Sequence, residues 1–193
     1  MDHEIKNLHI RKLCGNWSQL KNVSFDYFNQ NGEWEHHERE VYDRGNGAVI
    51  MLYNKSNNKV ILTRQLRIPT YLNGNESGMM IEACAGLLDD ESPEHGIRRE
   101  TEEETGYRIQ NIQKVFEAYT SPGSVTEILN FFIAEYSSEM KVNEGGGAAD
   151  EHENIEVIEM HFKEAVAMIE RGEIKDAKTI MLLQYLQIHN LVI

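Results

Sequence analysis

The segment that decides the fold is residues 81–107, IEACAGLLDDESPEHGIRRETEEETGY. Its pattern predicts a strand that ends at Ala85, a glycine-led loop and one helix. Ser92 is typical of a helix N-cap, Pro93 of the first helical position, and Gly106 of the residue just past a helix end. The segment is therefore expected to be a strand–loop–helix unit.

Three acidic residues on this helix, Glu100, Glu103 and Glu104, have the spacing i, i+3, i+4 and so share one face. Like charges at this spacing, near a helix C-terminus, destabilise a helix by a few tenths of a kcal/mol to about 1 kcal/mol each. A divalent cation would reverse the sign, and hard cations such as Mg²⁺ take carboxylate oxygens as ligands. The alternative is a solvated charged face, which is the commoner meaning of such a run and suits Glu102.

The whole string resembles the Nudix box, G-x5-E-x7-R-E-U-x-E-E-x-G-U with U aliphatic, the signature of hydrolases of nucleoside diphosphates linked to another moiety. The chain departs from the pattern twice: only four residues separate Gly86 from Glu91, and Thr101 stands at an aliphatic position. The matching residues are Gly86, Glu91, Arg99, Glu100, Glu103, Glu104, Gly106 and Tyr107.

The resemblance implies a role for each matching position. Glu100 and Glu104 would be the principal ligands of Mg²⁺, with Mn²⁺ as a possible substitute and Glu103 in support. Arg99 would pair with Glu103 and hold its orientation. The main-chain carbonyl of Ala85 would be a further metal ligand.

Composition restricts the compartment and the partners. The 193-residue chain is 40% hydrophobic and 26% charged, as expected for one globular domain with a small appendage. Its net charge of -13 argues against nucleic acid as a partner, because phosphate backbones need basic surface. No apolar stretch approaches the roughly 20 residues of a membrane span, and the N-terminus lacks a signal-peptide core. With Cys14 and Cys84 as its only cysteines, the chain is expected in the reducing cytoplasm, away from membranes.

The chain divides into an N-terminal β segment at 1–45 and a main domain at 46–193. The N-terminal segment shows alternating strands and a hairpin signal at Asn31-Gly32, with too few aliphatic residues to bury a core alone. It should lean on the main domain or on a second subunit, and the resemblance implies a homodimer with exchanged N-terminal segments.

In the main domain, strands alternate with the box helix and two C-terminal helices, which predicts an α/β fold with a mixed sheet. The resemblance implies the same architecture, the Nudix α/β/α sandwich. The strands are expected at 48–53, 60–66, 79–85, 115–119, 128–136 and 155–160, and the C-terminal helices at 162–171 and 178–189.

Beyond the box, nearly the whole chain resembles the Nudix branch that contains the ADP-ribose and GDP-mannose pyrophosphatases, and the GDP-mannose members most. This implies Mg²⁺-dependent hydrolysis of GDP-mannose to GMP and mannose 1-phosphate. Pro122 keeps an ADP-ribose or ADP-sugar substrate as an alternative. A regulatory module that binds nucleotide sugars without turnover is a second alternative, against which the intact glutamates of the box speak. The stretches that carry the resemblance are 38–48, 64–67, 73–78, 82–86, 121–127 and 172–179.

Several residues suit a nucleotide diphosphate. The guanidinium of Arg67 offers a bidentate fork for phosphate, with a surface ion pair as the alternative. Glu38 and Glu40 share one strand face and could accept hydrogen bonds from a guanine edge or sugar hydroxyls, or be merely solvated. Trp17 could stack on a base, although a core or interface position is commoner. The predicted substrate contacts are Trp17, Glu38, Arg39, Glu40, Arg67, Gly86, Leu87, Glu127, Asp150 and Lys178.

The acidic loop after Gly145–Gly147 is the candidate source of a general base. It resembles the E-x-E-x-I segment of the branch, which implies Glu151 as the base and Glu153 as a metal ligand. Counting forward from the glycines instead places Asp150 and Glu151 in the site, and a solvated loop is the third interpretation. The three glycines are predicted to act as a hinge that moves the loop over the substrate. The predicted catalytic residues are therefore Glu151, Glu103 and Arg99.

Overall fold

The computed structural model describes residues 4–88, 91–148 and 153–192. The chain separates into two compact units, Met1–Asn46 with Tyr119–Ile128, and Gly47–Ala118 with Leu129–Ile193. Among the described helices, none is both long and apolar enough to cross a membrane.

The first unit contains three strands, β1 (Ile5–Cys14), β2 (Gln19–Phe28) and β3 (Trp34–Asp43). They form an antiparallel sheet in the order β1-β2-β3. At the predicted hairpin, the side chain of Asn29 accepts backbone hydrogen bonds from Asn31 and Glu33, and Gly32 has a φ of 78°. The expected N-terminal antiparallel β segment is confirmed.

This sheet buries very little apolar surface. No residue between 4 and 46 is buried, and every residue of β1 is exposed. Ile5, Leu8 and Ile10 on β1 are 55–62% exposed. A two- or three-stranded sheet without a covered apolar face is marginally stable in water. Within this unit, β1 is therefore an edge strand that pairs only with β2 and exposes large apolar side chains.

The second unit is built on a mixed sheet in the order β10-β5-β4-β9-β8, with β6 added beside β5 and β7 beside β4. Strand β4 pairs parallel with β9 and antiparallel with β5, so the predicted mixed sheet is confirmed. The short helix α1, which follows β5, was not predicted. The strands are β4 (Gly47–Asn54), β5 (Lys59–Leu66), β6 (Met79–Glu82), β7 (Cys84–Leu87), β8 (Gln113–Tyr119), β9 (Ile128–Glu135) and β10 (Glu156–His161). The helices are α1 (Ile68–Leu72), α2 (Pro93–Thr105), α3 (Phe162–Glu170) and α4 (Ala177–Ile188).

Helices cover both faces of this sheet. Strand β4 is buried along its whole length, and its successive side chains point into two different cores. Val49 and Met51 belong to the core that contains Leu182 and Leu183 of α4. The other face of β4 packs into the core that contains Ile97 of α2. The α/β/α architecture predicted from the sequence is thus confirmed.

The box helix forms as its capping residues predict. The Ser92 hydroxyl accepts a hydrogen bond from the backbone of His95, Pro93 opens the helix, and Gly106 takes the left-handed conformation at φ 79°. Glycine is favoured there because it has no Cβ to strain. The helix packs on one face of the sheet through Ile97.

The strand before the helix differs from the prediction in its continuity and its end. It is interrupted at Ala83, whose N–H leaves the ladder and donates to the Thr179 hydroxyl on α4 at 2.7 Å. The second piece, β7, continues past Ala85 to Leu87 and pairs with β4. The sequence could not predict the break, because the hydroxyl that causes it comes from a helix 96 residues further on.

Candidate active site

The carboxylates on the acidic face of α2 are buried to different extents. Glu104 is buried with 2% of its surface exposed, the Glu100 side chain is largely covered, and the Glu103 side chain is partly exposed. Thr101, which departs from the aliphatic pattern, is fully buried, and its hydroxyl donates to the carbonyl of Ile97. The hydroxyl is therefore satisfied within the helix and leaves the carboxylates on their own face.

Arg99 binds three carboxylates of this unit. Its Nη1 lies 2.7 Å from Glu103 Oε2, its Nη2 lies 2.9 Å from Glu100 Oε1, and its Nε lies 3.3 Å from Glu91 Oε2. The ion pair with Glu103 that the sequence suggested is present, and Glu91 and Glu100 are additional partners. Burial alone would lower the pKa of the guanidinium, but the neighbouring charges of Glu100 and Glu103 raise it. Arg99 therefore stays charged and organises the acidic face.

Burial makes two of the carboxylates weak acids. It raises the pKa of Glu104 to about 8, with the charges of Glu100 and Glu153 adding to the shift and a hydrogen bond with Cys84 opposing it. Burial also raises the pKa of Glu100 to about 7, although Arg99 opposes that shift. Ionisation of either group therefore costs free energy, which a nearby cation would offset.

Strand β7 presents its free edge to this face of α2. The N–H of Ala85 donates to Glu104 Oε2 at 3.3 Å, while the opposite edge of β7 pairs with β4, where Val49 is opposite Ala85. Since the N–H and C=O of a strand residue lie on the same edge, the Ala85 carbonyl also points away from β4 and towards α2. A main-chain oxygen is thus available beside the buried carboxylates.

Gly86 lets Glu100 lie against this strand. A Cβ built on Gly86 would overlap the Cγ and Cδ atoms of the Glu100 side chain, well inside van der Waals contact. The requirement is a close approach rather than an unusual backbone angle, because Gly86 does not have a positive φ. Any larger residue would push Glu100 out of position.

The glycines of the acidic loop are fixed to the end of α2. The N–H groups of Gly146 and Gly147 donate to the carbonyls of Glu104 and Glu103 at 2.9 and 3.0 Å. The backbone of Ile155 donates to Gly146 at 3.2 Å. In this conformation Gly146 and Gly147 cap the C-terminal end of α2 and anchor the base of the loop, and the hinge stays a prediction. Both glycines have a positive φ, 112° at Gly146 and 87° at Gly147, a backbone conformation that favours glycine.

Of the three candidate loop carboxylates, the described residues include only Glu153. Its Oε2 accepts a hydrogen bond from the backbone of Ala148 at 3.2 Å, and its charge reaches both Glu100 and Glu104. The other two predicted loop residues, Asp150 and Glu151, lie outside the described residues. Glu153 therefore joins the acidic cluster electrostatically, across the space between the loop and α2.

The donor set suits a hard divalent cation, since it consists of carboxylate oxygens and one carbonyl. Within residues 4–88, 91–148 and 153–192, however, no three His, Cys, Asp or Glu side chains already converge as a preformed metal site. Arg99 holds Glu100 and Glu103 in ion pairs. Glu104 and Glu100, with their raised pKa values, nevertheless fit a site in which a cation balances the carboxylate charge.

A second charged cluster lies at the start of α4, and the sequence reasoning found only part of it. Arg67 and Lys178, both predicted phosphate ligands, bind the same buried carboxylate, Glu82, at 2.7 and 2.5 Å. Asp176 binds Lys178 at 2.7 Å and caps α4 by accepting from Thr179. The signal for Glu82 was available, since it is a lone charge in the apolar run of residues 79–85, but its partners are distant in sequence.

The remaining predicted contacts belong to the first unit. Trp17 is 94% exposed, so the core position that seemed commoner for it is wrong, which leaves the interface and base-stacking interpretations. Glu38 and Glu40 lie opposite Ser24 and Asn22 of β2, so they share a face and both are exposed.

Two further charged residues of this unit already have partners. The guanidinium of Arg39 donates to the Glu38 carbonyl at 2.7 Å. Glu127 is mostly buried and pairs with Arg44 at 3.4 Å. Both would have to exchange or share these partners to contact a substrate.

Comparison with known proteins places this arrangement in a family. The NUDIX domain profile matches residues 43–183, and the chain belongs to the Nudix family. It is a Nudix hydrolase, a class whose members generally use divalent metal ions. A second profile, the GDP-mannose pyrophosphatase NudK N-terminal domain, matches residues 4–42, which contain β1 to β3.

Several similar proteins carry the same name. The chain is 55% identical over 192 residues to the GDP-mannose pyrophosphatase of Yersinia enterocolitica, and the alignment covers 100% of both chains. It is 53% identical over 192 residues to the GDP-mannose pyrophosphatase of Cronobacter sakazakii, again over 100% of both. A third relative with this name, from Yersinia pestis, is 53% identical over 98% of this chain and 94% of its own.

We expect Gly86→Ala to weaken divalent-cation binding, because the new methyl group displaces Glu100. Overpacking of this kind should also lower the free energy of unfolding by about 1–3 kcal/mol. Calorimetric titration with Mn²⁺ and urea unfolding measure the two effects. Gly123→Ala is the matched control, since its Cβ would meet nothing within 4 Å. Unchanged Mn²⁺ affinity in Gly86→Ala would show that Glu100 is not a ligand.

We expect the stability of the metal-free protein to depend on pH through Glu100 and Glu104. Their folded-state pKa values of about 7 and about 8 lie above the unfolded value of 4.5, so the native state binds more protons. The contribution is therefore favourable at low pH and is lost as the pH rises from about 4.5 to about 8. Glu104→Gln should melt at a higher temperature than the wild type at pH 8, with the difference shrinking towards pH 5. A melting-temperature difference that is constant over this range contradicts the assignment.

Proposed function

We propose that this chain hydrolyses the pyrophosphate bond of GDP-mannose to GMP and mannose 1-phosphate, with Mg²⁺ as the metal. The observation that carries the proposal is the full-length match to GDP-mannose pyrophosphatases, which includes the N-terminal sheet. The acidic face of α2 supports it, because its buried carboxylates need a cation. Both cysteines are free, in keeping with the reducing cytoplasm in which we place the reaction.

In the proposed reaction, water adds to one phosphorus of the diphosphate while the bridging P–O bond breaks. The leaving phosphate takes the electron pair, and the proton from water goes to a general base. We assign that base to Glu151. Glu100, Glu104, Glu153 and the Ala85 carbonyl would hold the metal. When bound there, Mg²⁺ would neutralise charge at the phosphate oxygens and acidify the water.

The protein's own residues prepare these donors. Arg99 holds the Glu103 and Glu100 carboxylates at 2.7 and 2.9 Å, which fixes their rotamers before a cation arrives. Glu103 then acts in support. Gly86 and Leu87 bring the free edge of β7 to the substrate.

The substrate contacts combine cations for the diphosphate with acidic and aromatic groups for the rest. We assign the diphosphate to Arg67 and Lys178, and the base or sugar to Glu38 and Glu40. The remaining assigned contacts are Trp17, Arg39, Glu127 and Asp150.

A panel of nucleotide sugars tests the proposal. Purified protein with Mg²⁺ should release phosphate from GDP-mannose, after a phosphatase is added, faster than from ADP-ribose or ADP-glucose. Preference for ADP-ribose would establish the alternative that Pro122 suggests, and no turnover of any compound would favour a binding module.

A matched variant makes the panel decisive. Glu104→Gln keeps the size of the side chain and removes the charge, so it should nearly abolish hydrolysis while the protein remains folded. Full activity in this variant, or in excess chelator, would contradict a metal-dependent reaction.

The two loop glutamates should respond differently to metal. A general base contributes roughly 10²–10⁴-fold to the rate, so Glu151→Gln should lose activity that added Mg²⁺ does not restore. Glu153→Gln should lose activity that Mg²⁺ partly restores, because a ligand change weakens metal affinity. Measurement of kcat across Mg²⁺ concentration separates them. The alternative assignment of Asp150 and Glu151 to the site is supported if Asp150→Asn behaves as the ligand instead. If no variant falls tenfold, the loop has no chemical role.

We further propose that residues 1–45 serve dimerisation and substrate contacts, with residues 46–193 forming the hydrolase domain. The support is the exposure of β1, an edge strand that carries Ile5, Leu8 and Ile10 at 55–62% exposure. A second copy of the chain would bury these side chains by exchange of the N-terminal segments. Residues around Glu38 to Glu40 would then complete the site of the partner.

Light scattering tests the dimer. We expect a mass of twice the 22.3 kDa of the chain. Ile10→Glu, which places a charge on the exposed face of β1, should shift the protein towards the monomer and lower activity together. A wild-type protein that is fully active as a monomer would contradict this proposal.

A further inference from the structure

Glu82 is a carboxylate that the proposed chemistry does not use, yet it is among the most deeply buried charges in the described chain. It is the last residue of β6 and is 4% exposed. A buried carboxylate is costly unless it is paired and hydrogen-bonded. Its partners are Arg67, 15 residues before it, and Lys178, 96 residues after it. The fold therefore brings two distant cations to one buried anion.

The ion pair between Arg67 and Glu82 uses only one nitrogen of the guanidinium. Arg67 donates through Nε to Glu82 Oε2 at 2.7 Å, and among the described residues its two terminal nitrogens have no hydrogen-bond partner. The Arg67 side chain is 40% exposed, whereas the Glu82 side chain is 5% exposed. The carboxylate thus binds the inner nitrogen of the guanidinium and leaves the outer pair available, and such a pair of donors binds phosphate oxygens bidentately.

Lys178 is held on the other oxygen of the same carboxylate. Its ammonium lies 2.5 Å from Glu82 Oε1 and 2.7 Å from Asp176 Oδ1. Burial alone would lower the pKa of Lys178, but Glu82 and Asp176 raise it. Burial likewise would raise the pKa of Glu82, and its two cations bring it below the ordinary value. Lys178 and Glu82 are therefore both charged at neutral pH.

The position of Glu82 is itself fixed from two sides. The hydroxyl of Thr63 on β5 donates to the Glu82 carbonyl at 3.2 Å, and the next residue, Ala83, donates to Thr179 on α4 at 2.7 Å. The cluster also adjoins the acidic face of α2, because the charge of Arg67 lowers the pKa of Glu104 against the effect of burial. A rigid carboxylate thus sets where a cation lies beside the proposed metal site.

We propose that Glu82 is a positioning residue that holds the guanidinium of Arg67, with Lys178 beside it, for the diphosphate of the substrate. This inference rests on the proposed function for the identity of that substrate, although the anion site it describes does not. Glu82 acts through Arg67 and does not touch the substrate.

The test combines an anion-binding measurement with kinetics. Inorganic pyrophosphate in metal-free buffer is the probe for Arg67 and Lys178. Kinetics with GDP-mannose and Mg²⁺ give KM and kcat. Glu82→Gln keeps an oxygen for the Nε–H but loses the charge that fixes both cations. It should weaken pyrophosphate binding about tenfold or more, the range that hydrogen bonds to charged groups contribute. It should raise KM more than it lowers kcat.

A double-mutant cycle separates positioning from a structural role. In an Arg67→Met background, Glu82→Gln should cause a much smaller further loss of pyrophosphate affinity, because the effect that passes through Arg67 is already gone and only the effect on Lys178 remains. An equal loss in that background overturns the proposal, as does an affinity within twofold of the wild type in the single variant. Glu159→Gln is the matched control, since Glu159 also accepts from a lysine and from a second donor, at 2.6 and 2.8 Å. It should leave pyrophosphate affinity and KM unchanged.

Two further outcomes are decisive. If Glu82→Gln does not fold, Glu82→Asp replaces it, because the shorter carboxylate keeps the charge and draws the guanidinium back. Weakened pyrophosphate binding at an unchanged melting temperature then supports the proposal, and unchanged affinity overturns it. If the wild type does not hydrolyse GDP-mannose but binds pyrophosphate through Glu82 and Arg67, the proposed substrate is wrong and the positioning role stands. A wild type that does not bind pyrophosphate overturns the positioning role.

Discussion

Confinement of like charges on one buried helix face is the constraint on which the second unit of this protein depends. Glu100 and Glu104 lie against β7 with pKa values raised by burial, so the fold keeps two carboxylates where water cannot stabilise them. Gly86 is small because Glu100 lies against it. Arg99 supplies the positive charge that holds this face together in the absence of a cation.

The two charged clusters of this unit are built on opposite principles. Around Glu82 the protein supplies its own counter-charges, and the pKa of that carboxylate falls below its ordinary value although burial opposes the shift. Around Glu104 compensation is incomplete, and burial keeps the pKa high. A carboxylate that the protein has neutralised is suited to orient another group. One that remains uncompensated is suited to bind a cation.

The N-terminal sheet shows a comparable deficiency in apolar contacts. Its edge strand β1 exposes large aliphatic side chains, and no residue between 4 and 46 is buried. Such a segment gains stability only from a surface that covers it. This physical need supports the proposed dimer, in which a second copy of the chain would cover β1.

Local chemistry in the sequence by itself determined the box helix and the hairpins, and the alternation of strands with helices predicted the mixed sheet. Ser92, Pro93 and Gly106 fix the helix ends through effects that act within a few residues, and the i, i+3, i+4 spacing fixes which carboxylates share a face. Only the tertiary structure decided the break at Ala83, the anchoring of Gly146 and Gly147 to α2, and the convergence of Arg67 and Lys178 on Glu82. Each of these depends on groups brought together from distant parts of the chain. A pattern of neighbouring residues carries no information about such contacts.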